Sequence, residues 1–191
     1  MIILFWITSS RLGKTVGYFL PYSIYLIILL VGSILFFKKK IDKSKPITNH
    51  RIFYYICAFV PVIATFFVAF LPTIPFIKIK LLLLLIVYSL FNGVLEEVFW
   101  RITYKKVFEN NIVLSYIIPT VIFSSWHFAL LFASGVSYNG GALALVGGAS
   151  VMGAIWGFVS YKTNNYKVII SAHLLANFFA FSQLLYENWF I

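Results

Sequence analysis

Six long apolar runs divide the chain and constrain its fold more than any other feature of the sequence. They cover residues 15–37, 52–71, 79–104, 112–133, 141–161 and 166–186. Each run has close to the ~20 residues that an α-helix needs to cross about 30 Å of hydrocarbon. Hydrophobic residues make up 62% of the chain, whereas soluble domains hold about 45–50%. The sequence therefore predicts an all-α, polytopic transmembrane helix bundle with about six spans.

The net charge of +10 raises the question of nucleic-acid binding. The basic residues, however, cluster in short loops between the apolar runs instead of forming one stripe. Such clustering is the pattern that membrane insertion leaves in a sequence. We therefore expect the lipid bilayer to be a partner of the chain, and we expect no nucleic acid to bind.

The basic residues also predict the orientation of the bundle. One set of alternate loops holds Lys38, Lys39, Lys40, Lys43, Lys45, Arg51, Lys105, Lys106, Lys162 and Lys167. The other set holds only Arg11, Lys14, Lys78 and Lys80. Because cytoplasmic loops carry the excess of Lys and Arg, the first set is predicted to be cytoplasmic and both termini to lie outside.

The polar residues divide the chain into parts of different character. Residues 1–78 are interpreted as an N-terminal scaffold of two spans without a usable motif, and residues 79–186 as a four-helix core that carries the chemistry. Residues 187–191 form a short tail. The apolar residues 1–8 are too few to cross a bilayer and are predicted to be an interfacial lead-in. In the fifth run, Ala149, Gly153 and Gly157 recur every fourth residue, which predicts close helix packing.

Two adjacent carboxylates, Glu96 and Glu97, interrupt the third run, although the chain has only five acidic residues. An ionisable group at membrane depth costs about 2.5–3.5 kcal/mol on insertion scales and usually marks a functional site. Glu97 and Arg101 are four residues apart on one helical face, so they are predicted to pair. Glu96 points about 100° away and is left free to act as a base.

Two further couples have the same four-residue spacing: Phe123 with His127, and His173 with Asn177. Three helices would thus each present a polar couple to the interior of the bundle. Together they supply a carboxylate base, two imidazoles and an amide donor, which suit hydrolysis by an activated water with a stabilised oxyanion. The serines beside these couples, Ser124, Ser125 and Ser171, are assigned to hydrogen bonds with their own helix backbone and not to nucleophiles.

The three ordered couples, written EExxxR, FxxxH and HxxxN, resemble the motifs of the CPBP family, the CAAX-protease and bacteriocin-processing enzymes that are also called Abi proteins. The resemblance covers roughly residues 81–185 and implies an intramembrane endopeptidase similar to the type II CAAX prenyl endopeptidase. It implies that Glu96 and His127 hold and deprotonate the attacking water. His173 and Asn177 would then stabilise the oxyanion.

The resemblance also implies that Glu97 and Arg101 orient these catalytic residues and that Phe123 lines the substrate pocket. Whether a metal takes part stays open. Glu96, His127 and His173 could hold a zinc ion with one position left for water, but no HExxH motif occurs. We favour water held directly by Glu96 and His127, with no cofactor required.

The predicted function is hydrolysis of a peptide bond in a membrane-associated or hydrophobic peptide or in a membrane protein. The alternative is a non-catalytic bacteriocin immunity protein that binds a peptide or membrane partner. The compact size and the Ile, Lys and Asn bias suggest a bacterial cell membrane, so a prenylated CAAX protein is not the expected substrate. The site is predicted to open toward the cytoplasm at about mid-depth. The sequence does not predict the oligomeric state.

Overall fold

The computed structural model describes residues 1–36, 51–108 and 111–191, and the structural statements below concern these residues. Six helices in them are long and apolar enough to cross a membrane. They are α1 (Ile2–Phe36), α2 (Arg51–Phe76), α3 (Ile79–Val107), α4 (Val113–Leu130), α5 (Leu143–Thr163) and α6 (Tyr166–Phe190). The described residues form no strand. The prediction of an all-α bundle with six membrane-spanning helices is confirmed.

The first helix is broken at Gly13, where φ is +78° and ψ is 171°. Such a φ suits glycine because a side chain would collide with the backbone. The residues before the break fold back on the span that follows it, since Thr8 Oγ1 donates to the Gly17 carbonyl at 3.1 Å and Phe5 packs on Tyr18. The opening segment is thus a helix packed on the bundle, a feature that its length alone did not predict.

Helix α6 packs extensively against both α3 and α2, and its pairing with α3 holds the polar residues of the third span. Helices α1 and α4 pack on one side of this pair, around the buried rings of Tyr18, Tyr25, Phe123 and Trp126. Helix α2 packs on α5 and α6 on the other side, around buried Trp156. Many large apolar side chains on the outer surface are exposed, as helices that face lipid require. The polar residues of the third span lie between these two cores.

A lysine joins the ends of two helices at one end of the bundle. Lys105 Nζ donates to the carbonyls of Ser160 at 3.1 Å and Tyr161 at 2.9 Å, and to the side chain of Asn164. These carbonyls belong to the last turn of α5, where the Ser160 carbonyl also accepts from the Asn164 N–H at 3.0 Å. Lys162 shares this end, as the sequence predicts. The predicted basic loop from Lys38 to Lys45 lies outside the described residues.

The small residues of α5 provide a close approach to α4. A Cβ atom on Gly157 would lie 2.8 Å from Tyr116 Cε2, and one on Gly153 would lie 2.8 Å from Phe123 Cδ1. Both distances are shorter than carbon atoms tolerate, so α4 and α5 can adopt this separation only because the two positions lack side chains. Ala149, the first member of the series, is buried as well. The predicted close packing is confirmed.

We expect Gly157→Ala to destabilise the bundle by about 1–2 kcal/mol, because the added methyl group must displace the Tyr116 ring. Gly147→Ala is the matched control, since its Cβ would have only an ordinary contact of 3.6 Å with Leu143 Cδ1. Unfolding of the purified protein in mixed micelles by increasing SDS measures both effects. Equal stability of the two variants would contradict the role assigned to Gly157.

Candidate active site

The carboxylates of α3 are fully buried inside the bundle. Glu96 and Glu97 have no exposed surface, and Arg101 is 3% exposed. Arg101 Nη1 lies 3.4 Å from Glu97 Oε1, so the predicted pair of residues four apart is formed. The guanidinium carbon of Arg101 also lies 4.1 Å from the centre of the Phe123 ring. Because the buried interior has a low dielectric constant, this pair and its neighbours interact strongly with one another.

Glu96 is not free, although its position on the helix suggested that it would be. Its Oε1 accepts a hydrogen bond from the Tyr25 hydroxyl at 2.8 Å, and its Oε2 accepts one from Asn92 Nδ2 at 3.1 Å. Trp100 Nε1 donates to the same Tyr25 hydroxyl at 3.0 Å, and the Tyr25 ring stacks on Trp126 at 3.6 Å. Side chains from α1, α3 and α4 thus fix the orientation of this carboxylate.

His173 of α6 lies between the two carboxylates. Its Nδ1 is 2.7 Å from Glu97 Oε1, and its Nε2 is 3.4 Å from Glu96 Oε2. The Trp156 ring stacks on the imidazole at 4.4 Å. The motifs of the third and sixth spans therefore meet directly, as the sequence predicts. His173 is only 2% exposed, and both of its ring nitrogens face carboxylates.

The positions of these atoms restrict where protons can lie. An ionised carboxylate can only accept hydrogen bonds, and a neutral imidazole donates from one nitrogen only. His173 Nδ1 therefore donates to Glu97 Oε1 when that carboxylate is ionised, while Nε2 lies 3.4 Å from Glu96 Oε2 without a hydrogen bond. With an imidazolium and the Arg101 guanidinium, the two positive charges balance those of Glu96 and Glu97. The cluster can therefore hold a mobile proton without a net buried charge.

His127 and Phe123 lie one turn apart on α4. His127 Nδ1 is 2.8 Å from the Phe123 carbonyl oxygen, which can only accept, so Nδ1 carries a proton. In the neutral ring, Nε2 is then the basic nitrogen. The Phe123 ring lies 4.8 Å from the His127 ring and 6.1 Å from that of His173. Phe123 is 2% exposed and packs between the two histidines and Arg101, whereas the resemblance implied that it lines the pocket.

A cavity of about 320 Å³ lies beside this cluster. Its inner end is lined by Asn92, His127 and Asn177, while Glu96, Glu97 and His173 lie behind its wall. Asn177 Nδ2 is shielded from solvent and finds no hydrogen-bond partner among the described residues. The middle of the cavity is lined by apolar or small residues of α2, α5 and α6. The fourth predicted catalytic residue, Asn177, therefore faces the same space as His127.

The cavity extends toward the turn between α4 and α5, where Tyr138 and Asn139 line it, and toward Glu187 near the end of α6. That end is opposite to the one that carries Lys105 and Lys162. The lining thus reaches the end away from the lysines, and the predicted opening toward the cytoplasm stays a prediction. The sequence could not show this, because the cavity depends on where α2 packs against α5 and α6.

Sequence reasoning missed three residues of the site. Asn92 is one turn before Glu96 on the same helical face, a spacing that could have identified it. Tyr22 donates to Asn92 Oδ1 at 2.7 Å, and Tyr25 donates to Glu96. Both tyrosines belong to α1, where no motif indicated a role. The first span thus contributes side chains to the site, while the division of the chain into a scaffold and a catalytic core stays a prediction.

The proposed zinc ligands do not form a metal site in this arrangement. A histidine ligand of zinc commonly donates from its other ring nitrogen to a carboxylate, and Nδ1 of His173 has such a partner in Glu97 Oε1. In the described parts of the chain, however, no group of three or more His, Cys, Asp or Glu side chains is positioned to hold a metal ion. The involvement of a metal therefore stays a prediction.

The fold and the site together define an integral, multi-pass membrane protein with a buried carboxylate–imidazole cluster beside an internal cavity. The profile of the family described as type II CAAX prenyl endopeptidase Rce1-like matches residues 78–179, more than half of the chain, and the chain belongs to this family. The resemblance stated from the three motifs is confirmed. At the level of the family, this is a protease that acts on peptide or protein substrates in a membrane. No curated protein and no solved structure matches the chain.

Proposed function

We propose that this chain is an intramembrane endopeptidase that hydrolyses a peptide bond in a hydrophobic or membrane-associated peptide, with water activated by Glu96. One observation carries the proposal. His127 and Asn177 line a single cavity, with the Asn177 amide unpaired among the described residues, next to the buried Glu96–His173 couple. A proton acceptor and a free donor thus line the space that a peptide can enter, and the base lies directly behind its wall.

The contacts support a separate role in the reaction for each of these residues. Water enters the cavity at its inner end, where Asn92 both lines the wall and donates to Glu96. When Asn92 turns away from Oε2, Glu96 can contact this water and take a proton from it. Nε2 of His127 orients the water by accepting its second hydrogen. Asn177 Nδ2 donates to the oxygen of the tetrahedral intermediate. Preorganised donors of this kind stabilise charge that develops only in the transition state.

His173, Glu97 and Arg101 complete the proposed mechanism from behind the cavity wall. The proton that Glu96 accepts can be shared with His173, whose Nε2 lies 3.4 Å away. Glu97 and Arg101 hold the imidazole in place and balance its charge. This role differs from the one implied by the resemblance, in which His173 donates directly to the oxyanion. No step of the proposed reaction uses a metal.

We further propose a bacterial cell membrane with the lysine-bearing end in the cytoplasm. The excess of Lys and Arg in one set of loops supports this orientation. The cavity then lies in the half of the bilayer away from the cytoplasm. Such a position suits a secreted peptide, a leader or a membrane protein better than a prenylated CAAX protein.

The test is cleavage of an apolar peptide library by the purified protein in lipid nanodiscs. We expect Asn177→Leu, which keeps the size of the side chain but removes the donor, to lower kcat about 100-fold to 1,000-fold. KM should change little, because the lost interaction forms only in the transition state. Full activity of Asn177→Leu would contradict the oxyanion role.

Ser125→Ala is the control on α4. The Ser125 hydroxyl donates to the Val121 carbonyl at 2.8 Å. The Ser124 hydroxyl likewise donates to the Thr120 carbonyl at 2.8 Å. The predicted hydrogen bonds of these two serines with their own helix backbone are thus confirmed. We expect full activity of Ser125→Ala, with and without chelator. Inactivation by chelator alone would overturn the metal-free mechanism. A wild-type protein that binds library peptides but cleaves none would instead favour the alternative, a non-catalytic immunity protein.

A further inference from the structure

The far end of the cavity carries a carboxylate that the proposed reaction does not use. Glu187 lines the cavity near the end of α6, together with Gln183 and Asn139. Gln183 Nε2 donates to Glu187 Oε1 at 2.8 Å, which holds the carboxylate on the cavity side of the helix. The cavity therefore has a polar inner end at His127, a polar outer end at Glu187 and apolar walls between them.

Glu187 differs from the carboxylates of the inner cluster in its charge balance. The ion pairs within the described ranges join Glu97 to Arg101, and His173 to both Glu96 and Glu97, and none of them involves Glu187. His127 is the only Lys, Arg or His among the described residues that line the cavity. Lys14 shares this end, with its Nζ 5.5 Å from the centre of the Trp189 ring, but it forms no ion pair with Glu187. A cation that enters the outer end would therefore find an unpaired carboxylate, and an anion would be repelled by it.

Hydrogen bonds between side chains and backbone groups hold the rim around Glu187 in place. Asn188 Oδ1 accepts from Ser137 N at 2.9 Å, and Asn188 Nδ2 donates to the Ser137 carbonyl at 2.9 Å. Tyr138, the next residue, donates to the Leu130 carbonyl at 3.0 Å. The turn that carries Tyr138 and Asn139 is thereby fixed to the end of α6. A preorganised rim loses little entropy when a ligand binds.

We propose that Glu187 sets the specificity of this cavity by binding a cationic group of the substrate. Glu187 follows Asn177 by ten residues, which is about 15 Å along a helix axis. An extended peptide covers that length in about four or five residues. The substrate is thus an apolar peptide with a lysine or arginine side chain, or an amino terminus, about four or five residues from the cleaved bond. This inference rests on the proposed peptidase function.

The test compares variants of the best-cleaved library peptide that carry Lys, Gln or Glu at one position. The varied residue is placed at each distance from two to seven residues from the cleaved bond, on either side of it. Each peptide is made in two forms, with a free and with an acetylated amino terminus. We expect Lys to lower KM about fivefold relative to Gln at four or five residues, the scale of a partly exposed ion pair. Dependence on acetylation would identify the amino terminus as the cation.

Two variants decide whether Glu187 is responsible. Glu187→Gln should remove the preference for Lys, and Glu187→Lys should reverse it in favour of peptides with Glu. Lys162→Gln also changes the net charge by one, but it lies at the opposite end of the bundle and should keep the preference. A preference for Lys that survives in Glu187→Gln would overturn the assignment, as would equal KM values for all three peptides.

The outcome for Glu187 can be separated from the outcome for the peptidase. Cleavage without any charge preference would overturn only the role of Glu187. If no peptide is cleaved, the peptidase proposal fails, and binding of fluorescent peptides made of Ala and Leu with one Lys, Gln or Glu replaces KM as the measurement. Tighter binding of the Lys peptide, lost in Glu187→Gln, would then support the cation site alone. Equal binding of the three peptides would overturn it.

Discussion

Replacing Glu96 with Gln is expected to lower kcat for peptide hydrolysis about 10³-fold, within the range that a positioned base contributes. The amide has the same shape and keeps one acceptor oxygen for Tyr25 or Asn92, so the packing around it should persist. It cannot accept a proton from water, however. Single-turnover cleavage in nanodiscs measures the loss, and KM should stay within about threefold because Glu96 lies behind the cavity wall.

Glu97→Gln provides the comparison for this prediction. It makes the same chemical change one residue along the helix, but it affects the partner of Arg101 and His173. We expect Glu97→Gln to lose stability as well as activity, whereas Glu96→Gln should unfold near the wild-type midpoint. Wild-type activity of Glu96→Gln in a correctly folded protein would remove Glu96 from the proposed mechanism.

The local parts of the site follow from the sequence, because spacing along one helix determines them. The Glu97–Arg101 pair was predicted from a separation of four residues, and it forms. The same spacing placed Phe123 beside His127, and these rings are in contact. The spans are equally local, since a run of apolar residues long enough to cross a bilayer determines each one.

The parts that helical spacing does not predict depend on contacts between distant segments. Glu96 was expected to be free, but its partner Tyr25 lies 71 residues earlier on another span. The register of α6 on α3 turns both ring nitrogens of His173 toward carboxylates, and its predicted role at the oxyanion stays a prediction. Helical spacing fixes the face on which a residue lies and says nothing about the helix that packs against that face.

The position of the cavity is a further case of this limit. Its wall includes Thr65 and Ala69 of α2, a span in which no motif indicated a functional role. The positive-inside rule fixes which loops face the cytoplasm, but it does not locate the space between helices. The charges of the loops predict the orientation of the chain, but the position of the cavity in the membrane follows only when the packing of α2 is also known. The two together place the proposed substrate path in the half of the bilayer away from the lysines.

The second large effect is expected for Arg101→Met, which should destabilise the bundle by about 3–5 kcal/mol. Methionine replaces much of the volume over the Phe123 ring, but it leaves Glu97 buried with less positive charge around it. Removing one partner of a buried ion pair costs more than the pair itself contributes, because the remaining charge loses its compensation. Unfolding in mixed SDS micelles measures the change.

Two further variants separate the lost charge from the altered packing. Arg51→Met makes the same substitution at an exposed position and should change stability by less than about 0.5 kcal/mol. The double variant Glu97→Gln/Arg101→Met has no uncompensated carboxylate, so it should regain part of the stability that Arg101→Met loses. A double-mutant cycle then gives the coupling energy between Glu97 and Arg101. If the double variant is as unstable as the sum of the single variants, Arg101 acts only by filling space. Recovery would show that the charge of Arg101 compensates the buried Glu97 carboxylate beside His173.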